Sequence, residues 1–108
     1  MRYMMFVAVD PEPDQDPDDE LSIDEWFDQI PPEKYVMGER LRPASDARLV
    51  RVRNGETLIT DGAFTESKEW IAGFDILECD SIDEAIAIAA RHPMARGGRI
   101  EVREFWPL

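Results

Sequence analysis

The sequence predicts an α+β domain: an antiparallel sheet with two helices on one face, connected as β-α-β-β-α-β. Three observations lead there. The tetrapeptide Ser-Ile-Asp-Glu occurs at 22–25 and again at 81–84, each copy after one apolar strand-like run and before another. The chain therefore reads as two strand-helix-strand halves. Asn54-Gly55 between them marks a tight hairpin, and 108 residues suit one domain with a modest core. This is the ferredoxin-like pattern.

The first element, 2–9, is almost continuously apolar through Met4, Met5, Phe6, Val7 and Val9, as in a strand covered on both faces, and it is placed centrally. Residues 10–20 are rich in Pro and Asp and predict a loop. Ser22 and Glu25 then form a capping box, in which the serine oxygen accepts a backbone N–H and the glutamate reaches back. Ile23, Trp26, Phe27 and Ile30 make one apolar stripe, and Pro31-Pro32 ends the helix. A strand is expected at 35–41.

Asn54 and Gly55 tolerate the positive φ of a type I′ turn. Counting outward pairs Val52 with Thr57, Arg51 with Leu58 and Val50 with Ile59, which keeps Val50 and Ile59 on one face. After a strand at 72–79, Ser81 caps a second helix with the stripe Ile82, Ala85, Ile86 and Ala89, stopped by Pro93. In the last strand, 99–105, Ile100 and Val102 face one way while Glu101, Arg103 and Phe105 face the other. Two helices cover only one face of such a sheet. The apolar first strand and the outward Phe105, Trp106 and Leu108 predict a second copy of the chain on the other, giving a homodimer of two sheets packed face to face.

The formal charge is −12, and ten acidic and no basic side chains fall within 10–28. Such a chain repels phosphate backbones, so no nucleic-acid partner is expected. The single cysteine, Cys79, cannot form an internal disulfide, and no stretch resembles a signal peptide or a membrane span; a reducing cytoplasm is the expected setting. Cys79 reads as a small packed residue at a strand end. Asp14, Asp16, Asp18 and Glu25 fall at spacings used by calcium loops, but Asp19 stands where the required glycine would be and Pro17 intrudes, so no metal is assigned. Gly-rich phosphate loops, Cys/His metal clusters and Gly-x-Ser-x-Gly turns do not occur in the sequence, and no cofactor is expected.

Several ordered pieces carry a resemblance: Arg2-Tyr3-Met4, Gly38-Glu39-Arg40-Leu41-Arg42-Pro43, the block from Asp61-Gly62-Ala63-Phe64 through Glu66, Lys68 and Glu69, Gly73-Phe74, Asp83-Glu84-Ala85, His92-Pro93 and Glu101-Val102-Arg103. In order and spacing they resemble the YCII-related proteins, in the branch named for an Asp-Gly-Pro-Phe motif. Ala63 replaces the proline of that motif, and the segment before Gly38 is shorter and more acidic than is usual there. The resemblance implies a dimeric α+β barrel. Some relatives have a His/Asp pair proposed as an acid-base centre, with the histidine after the first strand; no histidine occurs there in this chain, so that pair is not transferred.

Candidate chemistry follows from residue types. Asp61, Glu66 and His92 are the candidate acids and bases, His92 being the lone histidine and so the only side chain with an ordinary pKa near neutrality. At the end of the second helix it is expected to sit as a cation favoured by the helix dipole. Lys68 and Glu69 are candidate ligand contacts in the same block. Glu39 is a candidate from the Gly-Glu block, and Glu101 with Arg103 either grips a carboxylate or forms an ion pair. Two functions follow. One is an enzyme performing elimination or isomerisation on a small polar organic acid in a cleft between sheet and helices. The other is a non-catalytic metabolite-binding or regulatory module, since relatives in this branch are often encoded beside, or fused to, extracytoplasmic-function sigma factors.

Overall fold

The computed structural model describes residues 1–10, 21–62 and 71–107. The strands are β1 (Arg2–Val9), β2 (Tyr35–Arg40), β3 (Arg48–Arg53), β4 (Glu56–Asp61), β5 (Ile71–Glu78) and β6 (Gly98–Glu104). The helices are α1 (Ile23–Gln29), α2 (Ile82–Ala90) and the short α3 (Met94–Gly97). Four strands form an antiparallel sheet in the order β2-β5-β1-β6, with β1 inside it as its apolar sequence requires. The α+β arrangement is compatible with a ferredoxin-like fold. The β3-β4 hairpin is a separate two-stranded sheet inserted between β2 and β5, not a part of the main sheet.

Local chemistry sets the elements. At α1 both capping-box bonds form: Glu25 N–H donates to Ser22 Oγ at 3.1 Å, and Ser22 N–H donates to the Glu25 carboxylate at 3.3 Å. At α2 only the forward bond is made, from Glu84 N–H to Ser81 Oγ at 3.2 Å, because the Glu84 carboxylate is held instead by Lys34 Nζ at 2.7 Å. Pro93 opens α3 as well as closing the segment after α2. In the hairpin, Asn54 and Gly55 both take positive φ, 53° and 80°, and the strands pair Val52 with Thr57, Arg51 with Leu58 and Val50 with Ile59. That is the register expected from the turn alone.

The core lies between the sheet and the helices: Tyr3, Met5, Trp26, Ile30, Leu77, Cys79, Ala85 and Ala89 are all buried. Burying a side chain such as Leu77 stabilises by about 1.5–3 kcal/mol. Each helical stripe is only half used. Trp26 and Ile30 on α1, and Ala85 and Ala89 on α2, are buried, while Ile23, Phe27, Ile82 and Ile86 are exposed. The indole N–H of Trp26 donates to the Ile88 carbonyl at 2.8 Å and ties the helices together.

Register assigns the sheet faces. Tyr3, Met5 and Val7 pair with Leu77, Asp75 and Gly73 on β5 and with Glu104, Val102 and Ile100 on β6, so these residues share the helix-covered face. Alternation puts Met4, Phe6, Phe74 and Ile76 on the other face, where all four are half-buried. Among the described residues, the cover expected on both faces of β1 is complete on one face only.

Candidate functional site

A group of perturbed ionisable side chains lies on the helix-covered face and is built from three distant segments. β5 is apolar on both sides of Asp75, and pleating turns Asp75 inward with Gly73 and Leu77. Asp75 is 7% exposed. Its register partner on β2 is Gly38, and the phenol of Tyr35, at the start of the same strand, donates to Asp75 Oδ1 at 2.7 Å. A Cβ at position 38 would overlap Asp75 Oδ1 and Tyr35 Oη and approach the Phe74 carbonyl oxygen to 2.6 Å. Only glycine leaves room for this bond.

His92 closes the group. It lies two residues beyond the end of α2 and is 6% exposed. Its Nδ1 accepts the Met94 N–H at 2.9 Å, which places the proton of the neutral ring on Nε2. The ring packs edge-on to Trp26 at 4.6 Å between centroids, and Tyr35 packs edge-on to Trp26 and Phe27 at 6.3 and 5.2 Å. Trp26 thus roofs the histidine and the phenol together. Tyr35, half-buried beside the exposed Phe27, is the member of the trio nearest solvent.

Burial dominates the electrostatics. It raises the Asp75 carboxyl above its ordinary range, and the Tyr35 hydrogen bond and the His92 charge only partly offset this. It lowers His92, against the pull of Asp75. The Tyr35 phenol is pushed far up by burial, then by its bond to Asp75. The expectation that His92 is a protonated helix-terminal cation is corrected here: beneath Trp26 the cost of desolvating the imidazolium exceeds any gain from a helix end. Two groups that ordinarily titrate on either side of weakly acidic pH are drawn toward one another. Each group thus favours its uncharged form more than it would in water.

The residues singled out from sequence lie apart. Asp61 is exposed on β4, where Arg48 pairs with it at 3.3 Å. Glu39 is exposed on β2. Glu101 and Arg103 pair with each other at 2.6 Å on the open face of β6, where the guanidinium also lies 5.8 Å from the Phe6 ring centroid. Glu66, Lys68 and Glu69 fall outside the described residues, as do Asp14, Asp16 and Asp18 of the acidic loop. Among the described residues no cluster of His, Cys, Asp and Glu could hold a metal ion. Cys79 is buried and its thiol is pushed up to about 11, first by burial and then by Glu84, which makes it a packed and unreactive group. Sequence reasoning passed over Tyr35 and Asp75. The available signal was an aspartate amid apolar residues, at the same strand parity as Leu77.

No described helix is long and apolar enough to cross a membrane. The family model of the YCII-related domain matches residues 1–108. An uncharacterized protein of Rhizobium meliloti (strain 1021) is 44% identical over 50 residues, a stretch covering 46% of this chain and 40% of that protein, so the match spans less than half of the relative. With the family model matched from end to end, the chain belongs to the YCII-related family.

Proposed function

We propose that the chain is a small acid-base enzyme that moves a proton in an elimination or isomerisation of a small polar organic acid, in the cleft between sheet and helices. The observation that carries this reading is the juxtaposition of Tyr35, Asp75 and His92, with the 2.7 Å Tyr35–Asp75 bond at its centre. Asp75, linked to the phenol, takes the proton and returns it at the second position, while the Nε2–H of the neutral His92 donates a hydrogen bond to the substrate oxygen that gains charge. Burial raises Asp75 toward the range in which a carboxylate exchanges a proton with a substrate at least cost, and it keeps His92 neutral. Asp61 and Glu66 are secondary acid-base candidates, with Glu39, Lys68, Glu69, Glu101 and Arg103 as secondary ligand contacts. The Asp61-Gly62-Ala63-Phe64 block assigns the chain, in this reading, to the Asp-Gly-Pro-Phe branch, and the cytoplasm is its setting.

The reading includes a homodimer closed on the open sheet faces as an α+β barrel. Half-buried Met4, Phe6, Phe74 and Ile76 on that face support it. So does the hairpin, on which Val50, Val52 and Ile59 are about 60% exposed, since a two-stranded hairpin is marginal without a surface to pack on.

The test is solvent exchange. A panel of small hydroxy and keto acids is incubated with the protein in heavy water and loss of carbon-bound protons is followed by proton NMR. Wild type is expected to exchange at least one acid, with Asp75→Asn and His92→Gln each slowing it by about a hundredfold or more. Binding of an acid with no exchange, and with no effect of either substitution, would replace the enzyme with the metabolite-sensing module.

A further inference from the structure

We propose that Arg40 is the carboxylate anchor of a binding cavity at the end of the sheet, and that the occupant is a small organic acid, polar at its carboxylate end and with a short apolar body. The inference rests on the proposed function for its substrate class and adds the group that recognises it. A cavity of about 740 Å³ lies where the end of β1, the chain leaving β2 and the start of β5 meet. This volume is within the roughly 300–1,000 Å³ usual for small-molecule sites. Val9, Leu41, Pro43, Ala44, Ile71 and Ala72 supply an apolar wall. Arg40, Arg42 and Ser45 are the polar groups on it. A mostly apolar pocket with a few polar groups is the composition that holds an amphipathic ligand and orients one end of it.

The two arginines are not equivalent. Arg42 is committed to Asp46 at 3.0 Å. Among the described residues the Arg40 side chain has no hydrogen-bond or ion-pair partner, although most arginines there have one. An unpaired guanidinium at an apolar cavity presents a donor fork matched to a carboxylate. Its position ties the cavity to the buried trio. Arg40 pairs with Gly73 and Gly38 pairs with Asp75, so Arg40 stands on the helix-covered face one strand repeat, about 7 Å, beyond Gly38.

Isocaproate and its neutral amide are the probes, compared by calorimetry on the full chain. Wild type is expected to bind the carboxylate about ten- to a hundredfold more tightly than the amide. Arg40→Gln should abolish that preference, and Arg40→Lys should restore part of it. Arg51→Gln, which removes an exposed and equally unpaired arginine on the hairpin, should bind as wild type does. Arg40 has no partner to lose, so its variants retain the fold, checked by their melting temperature. Equal binding of acid and amide by wild type, or an unchanged preference in Arg40→Gln, overturns the inference. Asp75→Asn separates the two proposals: it should leave the preference intact while removing proton exchange. Binding through Arg40 without exchange in wild type defeats only the proposed chemistry.

Discussion

Asp75 and His92 make opposite contributions to stability as pH changes. The folded-state pKa of His92 lies below its ordinary 6.5, so the unfolded chain takes up this proton first. The stability given by a neutral His92 is complete above about pH 6.5 and is lost as pH falls through that value toward the folded pKa. Asp75 is raised above 3.8, so the folded chain holds its proton longer and stability falls as pH rises through that region. In urea unfolding the His92 contribution should therefore be lost as pH falls below about 6.5, so that wild type loses more stability over that fall than His92→Gln does. An unchanged slope would show that His92 is not held neutral by burial. Asp75→Asn keeps an acceptor for the Tyr35 phenol while removing a buried charge. At pH 7.5 its unfolding midpoint should equal or exceed that of wild type. A gain in stability joined to loss of turnover marks a group kept for chemistry.

The repeated Ser-Ile-Asp-Glu tetrapeptide caps both helices but serves different ends. In α1 the glutamate completes the box, whereas in α2 it is drawn to Lys34, which also reaches Asp80 at 3.4 Å and so ties the turn before β2 to the start of α2. Ser22→Ala and Ser81→Ala should each lower stability by about 1 kcal/mol, read from thermal unfolding by circular dichroism, because each leaves a helix N–H without its acceptor. Glu25→Ala should also weaken α1 through its cap. Glu84→Ala should act instead by releasing Lys34, visible as a lowered Lys34 pKa in NMR titration, since the bond to Glu84 is the leading cause of its elevation. The hairpin shows the same local logic, with φ at Asn54 and Gly55 setting every pair out to Arg48 and Asp61.

For the molecule as a whole, the decisive surface is the sheet face without helices. Phe6 and Phe74 are register partners there, and Arg103 lies over the Phe6 ring. Phe105 and Trp106 beyond β6 are exposed, Trp106 at 87%. Sedimentation velocity at micromolar protein should give a dimer. Phe6→Glu on the sheet should shift it to a monomer, and Ile59→Glu on the hairpin should weaken it. A wild type that sediments as a monomer at that concentration removes the barrel from the proposal.

What could be read directly from the chain was what neighbours along it control. Strand periodicity, both N-caps and the hairpin register depend on residues within a few positions of one another, and each matches the structure. The inserted place of the hairpin and the exposure of Ile23, Phe27, Ile82 and Ile86 were not legible, because a 3.6-residue stripe shows which side of a helix is apolar and not how much of it the sheet covers. The candidate site was legible only in His92. Its partners arrive by pairing of β2 with β5 and by the return of the chain after α2, from positions 35, 75 and 92. The charge state of His92 was misjudged for the same reason. A helix dipole is a local property, but the desolvation that overrides it is imposed by Trp26, which only folding places above the ring.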